Sequence, residues 1–217
     1  MLFRSKTPTD SMTGVVVGNH TSLNENNLNF FAGQKKNKLG YTLFLGGNQK
    51  EAVDINKDGF MEVPKDRNYI IHPRLFYENK NLKINAGYNF NYDHRESGLI
   101  NALTNGLTAT NNFHVIEKYI RHTADLTLDY KLNDQSSIHY KSAVSFYSRN
   151  YSNPDILFNG NENNSYQEMN IVSVKGKHTT VAGINFITSN FTHASNDSLP
   201  FGNFNTNTIG KIGRAHV

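Results

Sequence analysis

The sequence contains no cysteine, so neither a disulfide framework nor a thiolate metal site is available to it. Tryptophan is absent too, and proline occurs only 5 times in 217 residues. No stretch approaches the roughly 18 consecutive apolar residues of a membrane-spanning helix. That absence leaves transmembrane strands open, because a barrel strand needs an apolar residue only at every second position. Helical periodicity is missing: apolar spacing of i, i+3 and i+4 never persists beyond a turn. Charge of one sign is not concentrated anywhere. The net charge is +4, with Lys and Arg dispersed, which gives no basic stripe for nucleic acid.

What is present is aromatic and alternating, with Tyr occurring 11 times and Phe 14 times. The clearest stretch is Leu82-Lys83-Ile84-Asn85-Ala86-Gly87-Tyr88-Asn89-Phe90-Asn91-Tyr92. Every even position is apolar or aromatic and every odd one is Lys, Asn or Gly, the period of a strand with one greasy and one wet face. Residues 68–77 precede it across the polar turn Glu78-Asn79-Lys80-Asn81, setting Tyr69, Ile71, Pro73, Leu75 and Tyr77 against Asn68, His72 and Arg74. The pair predicts a hairpin of roughly ten-residue strands, the length that crosses a bilayer at the tilt of a barrel strand. Leu82, Ile84, Ala86, Tyr88, Phe90 and Tyr92 are expected to face lipid, and Lys83, Asn85, Asn89 and Asn91 a lumen. A charge at mid-membrane costs about 2–4 kcal/mol on the lipid side and little on the other.

Further strands are expected at 13–21, 27–34, 39–48, 119–130, 137–148, 165–174 and 179–187, making about nine by alternation. Tight links are expected near Lys35–Lys38, Asn79–Asn81, Leu132–Gln135 and Gly176–Lys177, and long polar ones at 49–67, 93–118 and 149–164. Residues 188–208 read as a further Asn-rich loop. From Lys35 onward short and long connections alternate, and the short link 22–26 is the exception. Antiparallel pairing of successive strands puts all the tight turns at one end of the sheet and the long loops at the other. This is the habit of outer-membrane barrels, with short periplasmic turns and long extracellular loops. Tyr69, Tyr77, Tyr92, Tyr119 and Tyr130, near strand ends, suit aromatic girdles. The expected fold class is therefore all-β, an antiparallel transmembrane β-barrel segment that is incomplete as a barrel.

The two ends read as foreign. Leu2-Phe3-Arg4-Ser5 can be written CTC TTC CGA TCT, whose reverse complement in a shifted frame encodes Ile212-Gly213-Arg214 and the first base of Ala215. A sequencing adapter read at both ends of an insert produces that relation, so residues 1–5 and 212–217 are set aside and 6–211 is taken as the domain.

Several stretches resemble the barrel domain of TonB-dependent outer-membrane receptors, in particular receptors for siderophores and related ligands. They are Lys6-Thr7-Pro8, Leu39-Gly40-Tyr41-Thr42-Leu43, Ala52-Val53-Asp54-Ile55-Asn56-Lys57-Asp58-Gly59-Phe60 with Glu62-Val63-Pro64, His72-Pro73-Arg74-Leu75-Phe76, and Gly176-Lys177-His178-Thr179. Together they span most of residues 6–196. The resemblance implies a plugged barrel of about 22 strands in the outer membrane of a Gram-negative bacterium. It implies uptake of a scarce small molecule, energy from the TonB complex through a plug domain, a setting of outer-membrane lipid, and no enzymatic activity. The alternatives are a plain porin or adhesin barrel and an outer-membrane hydrolase. Ser145, His139 and Asp125, on one face by alternation, are the candidate triad for the last.

The sharpest local constellation is Asp54, Asn56, Asp58 and Glu62 around Gly59. Oxygens at alternate positions and a glycine at the bend can wrap a hard cation such as calcium, although Lys65 stands where an EF-hand has its bidentate Glu. With no cation the carboxylates should repel, which predicts an open or mobile loop. The histidines His20, His72, His122 and His139 have no zinc spacing and read as polar wall residues.

Overall fold

The computed structural model describes residues 7–106, 113–194 and 202–216. Residues 1–5 of the expected foreign N-terminus lie outside them, as do parts of the 93–118 and 188–208 connections. The chain is all-β: ten strands form a single antiparallel sheet in strict sequence order. They are β1 (Thr13–His20), β2 (Glu25–Lys36), β3 (Leu39–Lys50), β4 (Lys65–Glu78), β5 (Leu82–Gly98), β6 (His114–Asn133), β7 (Ser136–Ser152), β8 (Leu157–Lys175), β9 (His178–His193) and β10 (Phe204–His216). The helix α1 (Ile100–Asn105) lies between β5 and β6. Among the described residues β1 and β10 each pair on one side only, so the sheet is open.

Consecutive antiparallel pairing places the turns 36–39, 78–82, 133–136 and 175–178 at one end, as expected, and the other connections at the opposite end. These are the turn end and the loop end. At the turn 133–136, the hydrogen bond and charge of Lys131, 2.8 Å from Asp134, hold that carboxyl below the usual carboxylate range.

The strands are longer than alternation indicates, and mostly at the loop end. The connection expected over 149–164 shrinks to 153–156, because β7 and β8 pair as far as Ser152 with Leu157. Likewise β5 runs on to Gly98 and pairs with β6 as far as His114. The loop expected over 188–208 is largely sheet: β9 continues to His193, and β10 pairs Phe204 with Phe191 through to His216 with Thr179. Residues 212–216, read as foreign, continue that ladder, which brings the strand count to ten rather than nine. The reason is common to all three cases. A ladder is made by backbone groups, whereas period 2 is visible only where one face is wet and the other dry. Asn159, Asn161 and Asn163, like Asn190, Asn205 and Asn207, stand on the face that is apolar elsewhere, so its greasy stripe stops there while the ladder runs on.

Register assigns every strand residue to one of two faces. The organising stretch holds as read: Leu82 stands opposite Tyr130, Ile84 opposite Leu128 and Leu126 opposite Ala86, while Lys83 opposes Asp129 on the other side. The first face, here the apolar face, also carries Leu39, Tyr41, Leu45, Ile71, Leu75, Phe146, Met169, Ile171, Ile184 and Ile209. All of these are more than a third exposed, Leu75 at 66% and Ile209 at 68%. The second, polar face carries Asn85, Arg74, Asp125, Thr123, Ser145 and His139. Among the described residues no side chain is fully enclosed, and the buried apolar residues are Ala32 and Ala102. A sheet ordinarily hides one face beneath a second layer; here the described residues cover neither face.

Tyr69 and Tyr92 stack on the apolar face with centroids 6.1 Å apart at the loop-end edge of the greasy band, and Tyr77 and Tyr130 mark its turn-end edge. Tyr119 does not belong to this set. It lies on the polar face against Tyr147, 6.2 Å between centroids, because its register partner is Arg149.

Candidate functional site

The loop between β3 and β4 is built from side chains that close on their own backbone. Asp54 accepts hydrogen bonds from Lys57 N at 2.6 Å and Gly59 N at 2.8 Å. Asn56 Oδ1 accepts from Asp58 N at 2.9 Å, and Asp58 Oδ1 accepts from Phe60 N at 2.8 Å. Glu62 Oε2 accepts from Ile55 N at 2.7 Å, and a Val53–Val63 bridge shuts the neck of the loop. Gly59 takes φ +94°, in the region glycine tolerates and a bulkier residue resists. One carboxylate oxygen each from Asp54, Asp58 and Glu62 lies within 4.8 Å of the others.

The four residues singled out in the sequence are thus brought together, and the three carboxylates can offer oxygens to one hard cation. Asn56 Nδ2 donates to Asp58 Oδ2 at 3.0 Å, and its Oδ1 is taken by a backbone amide. The expectation of an open loop counted only repulsion between carboxylates. Four backbone N–H groups aimed at the carboxylate oxygens supply the opposing partial charge, and with a fifth on Asn56 Oδ1 they hold the loop shut.

The polar face holds a second constellation. Arg74 of β4 and Asp125 of β6 are separated by a whole strand, yet Arg74 Nη2 lies 2.6 Å from Asp125 Oδ2. Gly87 of β5 is their register partner on both sides, and its missing side chain opens the gap across which they meet. A Cβ added there would stand 2.6 Å from Asp125 Oδ1. Asn85 accepts from Arg74 Nε at 3.2 Å and completes the group.

The candidate triad is not assembled. Asp125 is engaged with Arg74, and Ser145 accepts from Thr123 at 3.3 Å. His139 Nδ1 lies 2.6 Å from Asp129 instead, and its Nε2 lies 2.9 Å from Ser137. The latter chain of three was not foreseen, although the pairing of Asp129 with His139 follows once the β6–β7 register is known. The other histidines are scattered. His72 lies on the polar face, and His20 bonds Asn26 at 2.8 Å. His122 is not a polar wall residue: it stands opposite Phe90 on the apolar face, where the Tyr88 hydroxyl meets its Nδ1 at 2.7 Å.

Near the loop end the polar face carries Tyr and Arg in alternation across two strands, which the sequence reading missed because the rows join only in register. Arg149 sits 5.3 Å from the Tyr119 ring and Arg121 4.6 Å from the Tyr147 ring, while Glu117 accepts from the Tyr119 hydroxyl at 2.7 Å. No family model matches the chain, and a search of the curated proteins finds no significant match.

Proposed function

We propose that the chain forms part of the wall of an outer-membrane β-barrel that takes up a scarce small molecule, siderophore-like or similar, with energy from the TonB complex. The observation that carries the membrane part is the uncovered apolar face. Leu82 to Tyr92 runs about 33 Å along the strand at ~3.3 Å per residue. At a barrel tilt of about 40° that is a band about 25 Å tall, the height of the apolar band of such barrels. Exposed apolar patches on this scale are rare on soluble domains and mark interaction or membrane surfaces, and a sheet whose backbone groups are paired strand to strand is a form lipid accepts. The turn and loop ends then lie on the periplasmic and extracellular sides. The receptor part rests on the resemblance of the stretches around Leu39, Asp54 and His72. In that reading the energy enters through a plug domain, and no catalytic step and no nucleic acid is involved.

Because the chain has no cysteine, single cysteines can be placed without background. Spin labels at Ile84, Ala86 and Phe90 should be reached by dissolved oxygen from lipid, and labels at Asn85, Asn89 and Asn91 by a water-soluble nickel reagent. Equal access at both sets would remove the membrane reading. Cross-linking of the intact gene product to TonB in cells tests the receptor reading; its absence together with passive solute flux would favour a plain porin.

For the loop, the convergence of its oxygens favours calcium coordination by Asp54, Asn56, Asp58 and Glu62. Calorimetric titration should show calcium binding that Asp54→Ala and Asp58→Ala each weaken by about tenfold or more. Binding equal in all three proteins, or none in the parent, would leave the loop a hydrogen-bonded turn.

A further inference from the structure

Just beyond the Tyr69–Tyr92 rung, on the same apolar face, the next rung toward the loop end is basic. Register sets Gln49 opposite Arg67, Arg67 opposite His94, His94 opposite Lys118 and Lys118 opposite Asn150. Two residues along a strand is about 7 Å, so this row lies directly above the edge of the greasy band. The row is tied to the ring layer beneath it. Gln49 Nε2 donates to the Tyr69 hydroxyl at 2.6 Å, the Lys118 ammonium lies 5.8 Å from the Tyr92 ring, and His94 meets that ring edge-on at 6.5 Å.

The acid of this region is Glu96, one rung further out. It is shared by His94 at 3.9 Å and His114 at 3.3 Å, and Lys65 stands opposite it in register. Among the described residues no carboxylate lies within ion-pair distance of Arg67 or Lys118. Arg67 is exposed. Their strands are two apart, about 10 Å at the backbone, a span that two long side chains close around a single tetrahedral anion with the His94 imidazole between them.

We propose that Arg67 and Lys118, with His94 between them, seat a phosphate of a membrane-lipid headgroup at the loop-end border of the apolar band. The inference rests on the membrane reading and not on the receptor reading. Tyrosines settle at headgroup level and lysine or arginine beyond them meets the phosphate layer. Charge complementarity therefore points to an anionic headgroup, and the site's place on the lipid-facing side of the sheet points to a lipid rather than to a free anion. An exposed phosphomonoester, with its higher charge, is the headgroup that this pair of cations prefers over a zwitterion.

The test uses the full chain with Leu75→Trp as its sole tryptophan, refolded into vesicles of phosphatidylcholine with and without a minor share of phosphatidic acid. Blue-shifted emission of the Trp reports insertion, and native mass spectrometry after detergent extraction counts retained lipids. Phosphatidic acid should be retained about tenfold over phosphatidylcholine. The variant Arg67→Gln with Lys118→Gln should lose that preference while its emission stays blue-shifted. The control Lys36→Gln with Lys38→Gln, at the turn end, should keep it. A preference that is absent in the parent, or that survives in the Arg67/Lys118 variant, overturns the proposal with the membrane reading intact. Complete displacement of the lipid by inorganic phosphate overturns it in favour of a free-anion site. Emission that stays red-shifted in vesicles overturns both readings together.

Discussion

Gly87 interrupts an otherwise regular row of Lys and Asn in β5, and its role lies in its neighbours. Without a side chain there, Arg74 and Asp125 reach across a strand to one another; with one, the Asp125 carboxylate must move. Gly87→Ala is therefore expected to destabilise the refolded protein by about 1–2 kcal/mol, the scale of a half-buried ion pair left mismatched. Urea midpoints compared in the background of Asp125→Asn check it: if the pair is the cause, Gly87→Ala costs much less once Asp125 is gone. No reading of one strand reveals this, since the partners lie 13 residues upstream and 38 downstream of the glycine and meet only through two registers. The loop residues Asp54, Asn56, Asp58 and Glu62 were legible for the opposite reason. Their spacing is local, and local side-chain to backbone bonds form wherever Asp, Asn and Gly alternate in a tight bend.

At the level of strands, the sequence carried what the apolar band imprinted on it. The faces of β5 and of the stretch between Tyr69 and Tyr77 and the four tight turns follow from alternation, because one face there is dry; the register of β5 with β6 does not, since a slip of two residues leaves every face unchanged. Beyond the band the apolar face turns to Asn while Phe158, Phe191 and Phe204 stack on the other, so the greasy stripe does not continue, and the ends of β7, β8, β9 and β10 became visible only through backbone pairing. Hydrogen exchange tests that extension. The amides of 157–164 are expected to exchange much more slowly than those of the β3–β4 loop tip at 55–58, since they are bonded to β7 on one side and partly to β9 on the other. Equal rates would mean that the sheet ends where alternation does.

Taken together, the described residues make a sheet with two unlike faces and almost no interior. Its stability in water should be poor and its response to substitution lopsided. Leu75→Lys, in the middle of the apolar face, is expected to cost about 2–4 kcal/mol for the protein in lipid, whereas Asn89→Lys on the polar face should cost little. Folding yield in vesicles against urea measures both, and equal costs would contradict the assignment of faces. The class of fold was legible from composition and period alone. Which residues share a face two strands apart was not, and the basic rung of Arg67, His94 and Lys118 is a case in point.

The loop after β3 does not stand alone. Phe60 forms a bridge with Leu99, Met61 N donates to Gly98 O at 2.9 Å, Ile100 N donates to Gly59 O at 2.9 Å, and the Phe60 and Phe113 rings lie 6.2 Å apart. The bend at Gly59 and the start of α1 are therefore a single mechanical piece, clasped across the mouth of the β4–β5 hairpin. Whatever stiffens or loosens the carboxylate bend bears directly on Gly98, Leu99 and Ile100, so the bend and the entry to α1 behave as one lever.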